Sequence, residues 1–140
     1  MCLFDGKRLE RRSPVQILGH ISQRISELHQ AGFAHRDLKP GNIMWQPRTY
    51  TWVLIDFGLA ARIGDTAPFG CTPTFAAPET AQAWQTYARK VVADAKVDAW
   101  ALGVIAFELL LERPAFGPFV SVKEVLLPLP PSPRDSVAMR

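Results

Sequence analysis

The chain has 140 residues, which is enough for one ordinary folding unit and too few for two. Hydrophobic residues make up 48% of it and charged residues 21%, the balance of a globular domain rather than of a disordered segment. The net charge is +3 and the basic residues are scattered, so neither nucleic-acid binding nor membrane-surface binding is indicated. The two cysteines, Cys2 and Cys71, lie far apart and show no metal-ligand or disulfide spacing.

Two further features bear on where the protein works. The first residues carry charges at Asp5, Lys7 and Arg8, where a secretory signal would need an apolar run. The longest apolar stretch, Ala99 to Leu111, is shorter than the roughly 18 residues that span a membrane. We therefore expect a soluble protein of the cytoplasm or the nucleus, with no membrane partner.

The first predicted element is an amphipathic helix from about Pro14 to Ala31. Ser13 is the expected N-cap, Pro14 the first helical residue, and Gln16 the partner that closes a capping box. Gly32 is expected to end the helix. Apolar residues recur at helical spacing at Leu18, Ile21, Ile25 and Leu28. Two histidines of this helix, His20 and His29, are expected to be surface residues or boundary residues with satisfied hydrogen bonds.

Two short β-type runs come next, Asn42 to Trp45 and Thr51 to Phe57, and the Gln-Pro-Arg-Thr connection between them is turn-like. They predict a small hairpin. The stretch from Gly58 to Thr80 is rich in Gly, Pro, Ala and Thr and has no sustained period, which predicts an irregular loop. Long loops of this kind are usually functional.

The last third of the chain predicts two helices and a tail. Ala81 to Ala95 is Ala-rich and favours a loose helix, whereas Val97 to Leu111 is apolar on nearly every face and is expected to form the core. Prolines crowd the sequence beyond Arg113, and we expect Pro128 to Arg140 to be mobile.

A polar segment lies between the predicted helix and the hairpin: His35-Arg36-Asp37-Leu38-Lys39-Pro40-Gly41-Asn42. Loops braced by two rigid elements often carry catalytic side chains. Phosphoryl transfer to a hydroxyl needs a carboxylate to orient the hydroxyl, a cation to neutralise phosphate charge, and hard oxygen ligands for Mg²⁺. Asp37, Lys39 and Asn42 offer these three functions.

The triplet Asp56-Phe57-Gly58 stands at the end of the second predicted strand. Folding of the hairpin would bring Asp56 back beside Asn42. A carboxylate oxygen and an amide oxygen at close range suit Mg²⁺, so these two residues are the predicted metal ligands.

The motifs HRDLKPGN, DFG, Ala77-Pro78-Glu79 and Asp98-Ala99-Trp100-Ala101-Leu102-Gly103 follow one another in the order and spacing of a protein-kinase catalytic core. Over residues 1–118 the chain resembles the large C-terminal lobe of a eukaryotic-type Ser/Thr protein kinase, and residues 119–140 would form a separate Pro-rich tail. The resemblance implies a mainly α (α+β) fold with a small β-hairpin. It also implies ATP and Mg²⁺ as cofactors and proteins with Ser or Thr hydroxyls as substrates.

The same likeness implies a role for each motif residue. Asp37 would be the catalytic base, Lys39 would steady the γ-phosphate of ATP, and Asn42 and Asp56 would hold the metal ions. Asp98 would be structural and would bond the backbone of the catalytic loop from the buried helix.

Two signals in the resemblance favour Ser/Thr substrates. Lys39 follows the catalytic Asp as in the Ser/Thr-directed pattern, and Thr72 resembles the hydroxyl residue that contacts the catalytic Asp and Lys. Two residues close in sequence to these motif residues are expected to have no chemical role. His35 is expected to be a packed scaffold residue of the loop, and Cys71 an inert thiol.

Arg36, just before the catalytic Asp, implies a pocket for a phosphate on the loop from Gly58 to Thr80, hereafter the activation loop. Arg62 is a candidate for the second wall of that pocket. Thr66 is the only hydroxyl between Gly58 and Cys71, so we expect its phosphorylation to order the loop through charge-assisted hydrogen bonds. Asp65 could partly stand in for the phosphate.

The family pattern also contains a glycine-rich loop and a strand with a paired Lys, and neither precedes Pro14 in this sequence. We therefore expect the small N-terminal lobe to be missing from this chain and apolar surface to be exposed. Two functions stay open: an ATP-dependent Ser/Thr kinase whose small lobe belongs to a longer native chain, and a catalytically inactive kinase-like module that binds or regulates partners. The prolines at Pro128, Pro130, Pro131 and Pro133 also allow a third function, a ligand for an aromatic-lined groove.

Overall fold

The computed structural model describes residues 13–116. This part of the chain forms three helices and six short strands, in agreement with the expected mixture of helices and small sheets. In chain order they are α1 (Pro14–Gln30), β1 (Phe33–Ala34), β2 (Ile43–Gln46), β3 (Thr51–Leu54), β4 (Ala61–Arg62), β5 (Thr66–Pro68), α2 (Pro78–Gln85), β6 (Lys90–Val92) and α3 (Lys96–Leu111). Short 3₁₀ turns cover Pro40–Asn42 and Pro73–Phe75. The strands pair as three separate antiparallel two-stranded sheets, β1 with β4, β2 with β3 and β5 with β6. The predicted tail lies outside the described residues.

Helix α1 begins at Pro14 as predicted, but not through the predicted capping box. The Ser13 side chain makes no capping hydrogen bond. Instead, the Ile17 amide donates to the Ser13 carbonyl at 3.2 Å, and Pro14 needs no partner because it has no N–H. Gly32, with a φ of 86°, follows the helix as the expected stop.

The predicted hairpin is confirmed, with the first strand shifted by one residue and the second strand three residues shorter. β2 and β3 pair in register from Ile43 opposite Leu54 to Gln46 opposite Thr51. Asn42 belongs to the preceding 3₁₀ turn rather than to the strand, and Asp56 lies beyond the end of β3.

Two expectations for the middle of the chain are wrong. The activation loop is not irregular throughout, because it contains β4, β5, a 3₁₀ turn and the start of α2. The predicted helix from Ala81 to Ala95 stops at Gln85, where Tyr87 adopts a left-handed conformation (φ 54°), and β6 follows. The paired strands β5 and β6 are more than twenty residues apart in sequence, and pairing between such distant segments leaves no local pattern.

The core lies where α1, α3 and the hairpin meet. It consists of Ile17, Ile21, Ile25, Leu38, Ile43, Trp45, Trp52, Ala101, Ile105 and Leu109. Full burial of one such aliphatic side chain stabilises the fold by about 1.5–3 kcal/mol. The prediction that α3 forms the core is confirmed for this face, while the expected exposed apolar surface appears on the helix at Trp100, Leu110 and Leu111.

Candidate active site

The loop from His35 to Asn42, hereafter the catalytic loop, is anchored by hydrogen bonds to Asp98, which lies in the first turn of α3. The amides of His35 and Arg36 donate to Asp98 Oδ2 and Oδ1, each at 2.8 Å. The Asp98 side chain is only 1% exposed, so these bonds are shielded from water. Arg36 is held there in a left-handed conformation (φ 69°), which is uncommon for a residue with a long side chain. The predicted structural role of Asp98 is confirmed.

A second anchor comes from His35, whose side chain is fully buried. Its Nε2 lies 3.0 Å from the Ile55 carbonyl, which can only accept, so Nε2 carries a proton and donates. Its Nδ1 then accepts the Asp37 amide at 3.3 Å. Both contacts suit the neutral imidazole. His35 therefore braces the backbone of the catalytic loop against the segment after β3, as the scaffold prediction required.

The Asp37 carboxylate lies at the centre of a compact polar network. Thr72 Oγ1 donates to its Oδ1 at 2.6 Å, while Lys39 Nζ and Asn42 Nδ2 donate to its Oδ2 at 2.8 and 3.2 Å. Lys39 Nζ also donates to Thr72 Oγ1 at 3.1 Å. The structure thus brings together four of the predicted residues from two separate parts of the chain.

The network leaves a hydrogen-bond acceptor position on Asp37 and a donor position on Lys39 for a further partner. An ionised carboxylate has about four acceptor positions, and three hydrogen bonds from protein donors reach Asp37. Of the three N–H donors of Lys39, two are used within the part of the chain that is described. Asp37 is 13% exposed and Lys39 31% exposed, so both groups are reachable from solvent.

Asn42 and Asp56 offer oxygen atoms close to this network. Asn42 is buried, and its Nδ2 donates to the carbonyl and the carboxylate of Asp37 at 2.9 and 3.2 Å, which fixes the orientation of the amide group that carries Oδ1. The Ile55 amide donates to the Asn42 carbonyl at 2.9 Å, which places Asp56 one residue beyond that contact. Asp56 is exposed, has a φ of 61°, and accepts the Gly58 amide at 3.2 Å.

These two side chains fit a magnesium ion by their chemistry. An amide oxygen and a carboxylate oxygen are hard ligands, and Mg²⁺ usually takes only one or two protein ligands and completes its shell with phosphate and water oxygens. Within the described ranges, no cluster of three or more His, Cys, Asp or Glu side chains could hold a metal. Any magnesium site here is of the open kind that a phosphate ligand completes.

The predicted phosphate pocket is only partly assembled. Arg36 is buried and its guanidinium donates to the carbonyls of Leu59 and Pro68, at 3.0 and 2.7 Å. Burial lowers the pKa of Arg36 from its usual value, and the nearby Asp98 carboxylate opposes that shift. Arg62 instead lies over the Phe33 ring, 5.3 Å from its centre, and Thr66 is exposed at the start of β5. Among the described contacts, none joins Arg62 or Thr66 to the Arg36 guanidinium.

Cys71 adjoins the network without the features of a reactive cysteine. Burial raises the pKa of its thiol, and the Asp37 carboxylate raises it further. Reactive cysteines have a lowered pKa, because the thiolate is the nucleophile. The raised pKa of Cys71 therefore agrees with the expectation of an inert thiol.

One contact of the site, made by the boundary residue His29, was not predicted from the sequence. His29 Nε2 donates to Asp98 Oδ2 at 2.8 Å, so α1 is tied to the same carboxylate that anchors the catalytic loop. Ile17, Ile21 and Ile25 are the buried stripe of α1, and His29 continues that stripe at the next step of four residues. This spacing could have identified it. His20 is half-buried, and its Nδ1 has no hydrogen-bond partner within residues 13–116.

Comparison with known proteins agrees with this geometry. A family model described as the protein kinase domain matches residues 3–124, which is most of the chain. The chain belongs to the protein kinase family. Its kinase relatives include the mitogen-activated protein kinase mpkC of Emericella nidulans, which is 37% identical over 116 residues, or 81% of this chain.

Two more kinases show the breadth of the similarity. The serine/threonine-protein kinase PknB of Mycolicibacterium smegmatis is 34% identical over 141 aligned residues, 94% of this kinase chain. The cGMP-dependent protein kinase, isozyme 1, of Drosophila melanogaster is 38% identical over 117 residues, 81% of the chain. The chain spans 26%, 22% and 14% of the lengths of these three relatives. It therefore corresponds to part of each of them.

No helix among the described residues of this kinase chain is long and apolar enough to cross a membrane.

Proposed function

We propose that this chain provides the catalytic loop and the activation loop of a Ser/Thr protein kinase, as part of the large C-terminal lobe. The observation that carries the proposal is the arrangement around Asp37. Its carboxylate is oriented by Thr72, Lys39 and Asn42 and keeps one acceptor position for a further donor. A substrate hydroxyl is a donor of the required kind.

In this proposal Asp37 orients the attacking hydroxyl and accepts its proton. A positioned general base of this type contributes about a hundredfold to ten-thousandfold to a rate. The Asp98 anchor and the His35 brace fix the backbone amides of His35, Arg36 and Asp37, so the loop that carries the carboxylate does not have to be ordered when substrate binds. The remaining N–H of Lys39 would hold the transferred phosphoryl group.

Asn42 Oδ1 and the Asp56 carboxylate would hold Mg²⁺ with ATP. When bound, the ion would neutralise charge on the phosphate oxygens. Asp56 has a left-handed conformation, costly for most residues and tolerated by Asp, which breaks the extended backbone that precedes it in β3. In this proposal that conformation serves the metal site.

Preference for Ser and Thr over Tyr is supported by the ring of contacts among Asp37, Lys39 and Thr72. All three side chains are mutually bonded, so Lys39 and Thr72 together line the approach to the base. The names of the relatives, which include a serine/threonine-protein kinase, agree with this preference. The protein substrates and the small lobe would belong to the whole native protein.

The test is phosphate transfer by the full-length protein. The protein is incubated with Mg²⁺ and γ-labelled ATP, together with matched peptide pools whose only hydroxyl residue is Ser, Thr or Tyr. We expect label in the Ser and Thr pools and little in the Tyr pool. Label chiefly in the Tyr pool would contradict the substrate preference, and label in none of the pools would contradict the proposed activity.

A further inference from the structure

The activation loop is tied by its own backbone to the segment that precedes α3. Within the β5–β6 sheet, Thr66 stands opposite Val92, Ala67 opposite Val91, and Pro68 opposite Lys90. Backbone hydrogen bonds of 2.9 Å continue the pairing at both ends, from Gly64 N to Ala93 O, from Ala93 N to Asp65 O and from Phe69 N to Arg89 O. The segment that holds the loop leads into α3, whose first turn carries the buried Asp98.

The position of Pro68 lets β5 be bonded on both sides. In an antiparallel pair, opposed residues alternate between bonded and non-bonded pairs. Phe69 and Arg89 are bonded, so Pro68 and Lys90 form a non-bonded pair, and the missing N–H of Pro68 costs no ladder bond. The Pro68 carbonyl then faces away from β6, and it accepts Arg36 Nη2 at 2.7 Å.

Arg36 has two backbone partners within the activation loop. Its Nη1 donates to the Leu59 carbonyl at 3.0 Å, so one guanidinium holds two points of the loop that are nine residues apart. The side chain is buried, where an unpaired guanidinium would be costly. Backbone carbonyls of the loop thus take two of the five N–H donors of the guanidinium that was expected to bind a loop phosphate.

Two further contacts carry this order to the active site. The Phe69 ring packs edge-on against Trp84 of α2, with ring centres 5.8 Å apart. Thr72 then donates to Asp37 at 2.6 Å. A loop held at β5 thus delivers Thr72 to the catalytic carboxylate.

We infer that the β5–β6 ladder and Arg36, together the loop clamp, order the unmodified activation loop. Phosphorylation of Thr66 is then not needed to bring Thr72 to Asp37. The effect of the ordered loop on catalysis rests on the proposed kinase function, because the loop acts by placing Thr72 beside Asp37. These contacts do not test whether Thr66 is phosphorylated. If the loop clamp orders the loop, the loop is ordered in unphosphorylated protein; if phosphorylation of Thr66 orders it, the loop is disordered there.

The first experiment is hydrogen exchange by mass spectrometry on the full-length protein, expressed in bacteria, treated with phosphatase and shown by intact mass to carry no phosphate. Peptides that cover residues 64–69 and 89–93 are compared with peptides from α1. We expect strong protection of both strands in the unphosphorylated protein. Exchange of both strands at unprotected rates, while α1 stays protected, would overturn the inference.

A matched pair of proline variants tests whether the ladder is the cause. By the same alternation, the Val91 amide faces β5 in a bonded pair, and the Val92 amide faces away. Val91→Pro should therefore lower the protection of residues 64–69 by about tenfold, the effect of leaving one buried backbone group unpaired. Val92→Pro introduces proline at the neighbouring position, where the lost amide faces away from β5, and should leave protection of residues 64–69 near that of the wild type.

The outcomes distinguish ordering by the clamp from ordering by contacts elsewhere in the loop. Equal protection in Val91→Pro and Val92→Pro, whether retained or lost, would overturn the ladder as the ordering device. If Val91→Pro also removes the protection of α1, the variant is globally unfolded, and the hydrogen exchange of the wild-type protein alone decides whether the inference stands. Protected strands in a protein that transfers no phosphate would leave the clamp standing and contradict the proposed function instead.

Discussion

Replacement of Asp98 by Asn should destabilise the domain severely, although the two side chains have nearly the same shape. The Asp98 carboxylate accepts three hydrogen bonds, from the amides of His35 and Arg36 and from His29 Nε2, each at 2.8 Å. An Asn side chain has one acceptor oxygen, and its NH₂ group must face at least one of these donors. With the side chain 1% exposed, water cannot relieve that conflict.

The expected loss follows from the number of donors left without an acceptor. In the better orientation the Asn oxygen keeps His35 and His29, while its NH₂ group and the Arg36 amide face each other unpaired. Each unpaired buried group costs about 1–3 kcal/mol, so the free energy of unfolding should fall by about 3 kcal/mol. Against a total of about 5–15 kcal/mol, this is a large fraction.

Urea denaturation followed by tryptophan fluorescence measures the change. With a slope of about 2 kcal/mol per molar urea, the midpoint should fall by about 1.5 M. Asp94→Asn is the matched control, because exposed Asp94 accepts the Lys96 amide at 2.9 Å and Asn can do the same. Its midpoint should move by the equivalent of about 0.5 kcal/mol or less. Equal midpoints for the two variants would contradict the stabilising role assigned to the buried carboxylate.

Three further predictions concern single residues of the site. Thr72→Val should lower kcat about tenfold in steady-state kinetics, because it removes a hydrogen bond to Asp37. Thr72→Ser retains the hydroxyl and should keep most of the rate. Similar losses of kcat in both variants would argue against a role of the hydroxyl. His29→Ala should lower the free energy of unfolding by about 1–2 kcal/mol, with partial rescue in His29→Gln, and unchanged urea midpoints would remove its role beside Asp98. Because burial and Asp37 raise the pKa of Cys71, its alkylation in a Cys2→Ser background should begin at higher pH than that of a free thiol. Asp37→Asn should move that alkylation profile toward lower pH, and a profile that does not move would contradict the assigned cause.

Long elements with a regular apolar period could be predicted from the sequence. Helix α1 and the β2–β3 hairpin lie close to where periodicity and turn residues placed them, and α3 lies in the continuous apolar run, because the backbone hydrogen bonds of each element join residues close in sequence. The strands β1, β4, β5 and β6 have two or three residues each, too few for an alternating pattern to show. They exist because distant segments pair, and sequence alone does not give that proximity.

The active site divides in the same way. The contacts of Asp98 with the catalytic loop and of Thr72 with Asp37 followed from the family resemblance and are confirmed. The engagement of Arg36 with two carbonyl groups could not be foreseen, because it depends on how the backbone of the activation loop is turned. The catalytic and metal-binding roles themselves stay predictions.

The proposed function depends above all on Asp37 as the base of a phosphoryl-transfer site, and a comparison of turnover is its sharpest test. The rate of phosphate transfer from ATP to a Ser peptide is measured for the full-length protein, for Asp37→Asn and for the exposed control Asp94→Asn. We expect Asp37→Asn to be slower by about a hundredfold or more, and Asp94→Asn to match the wild type. Equal rates for all three proteins would contradict the role of Asp37 as the base.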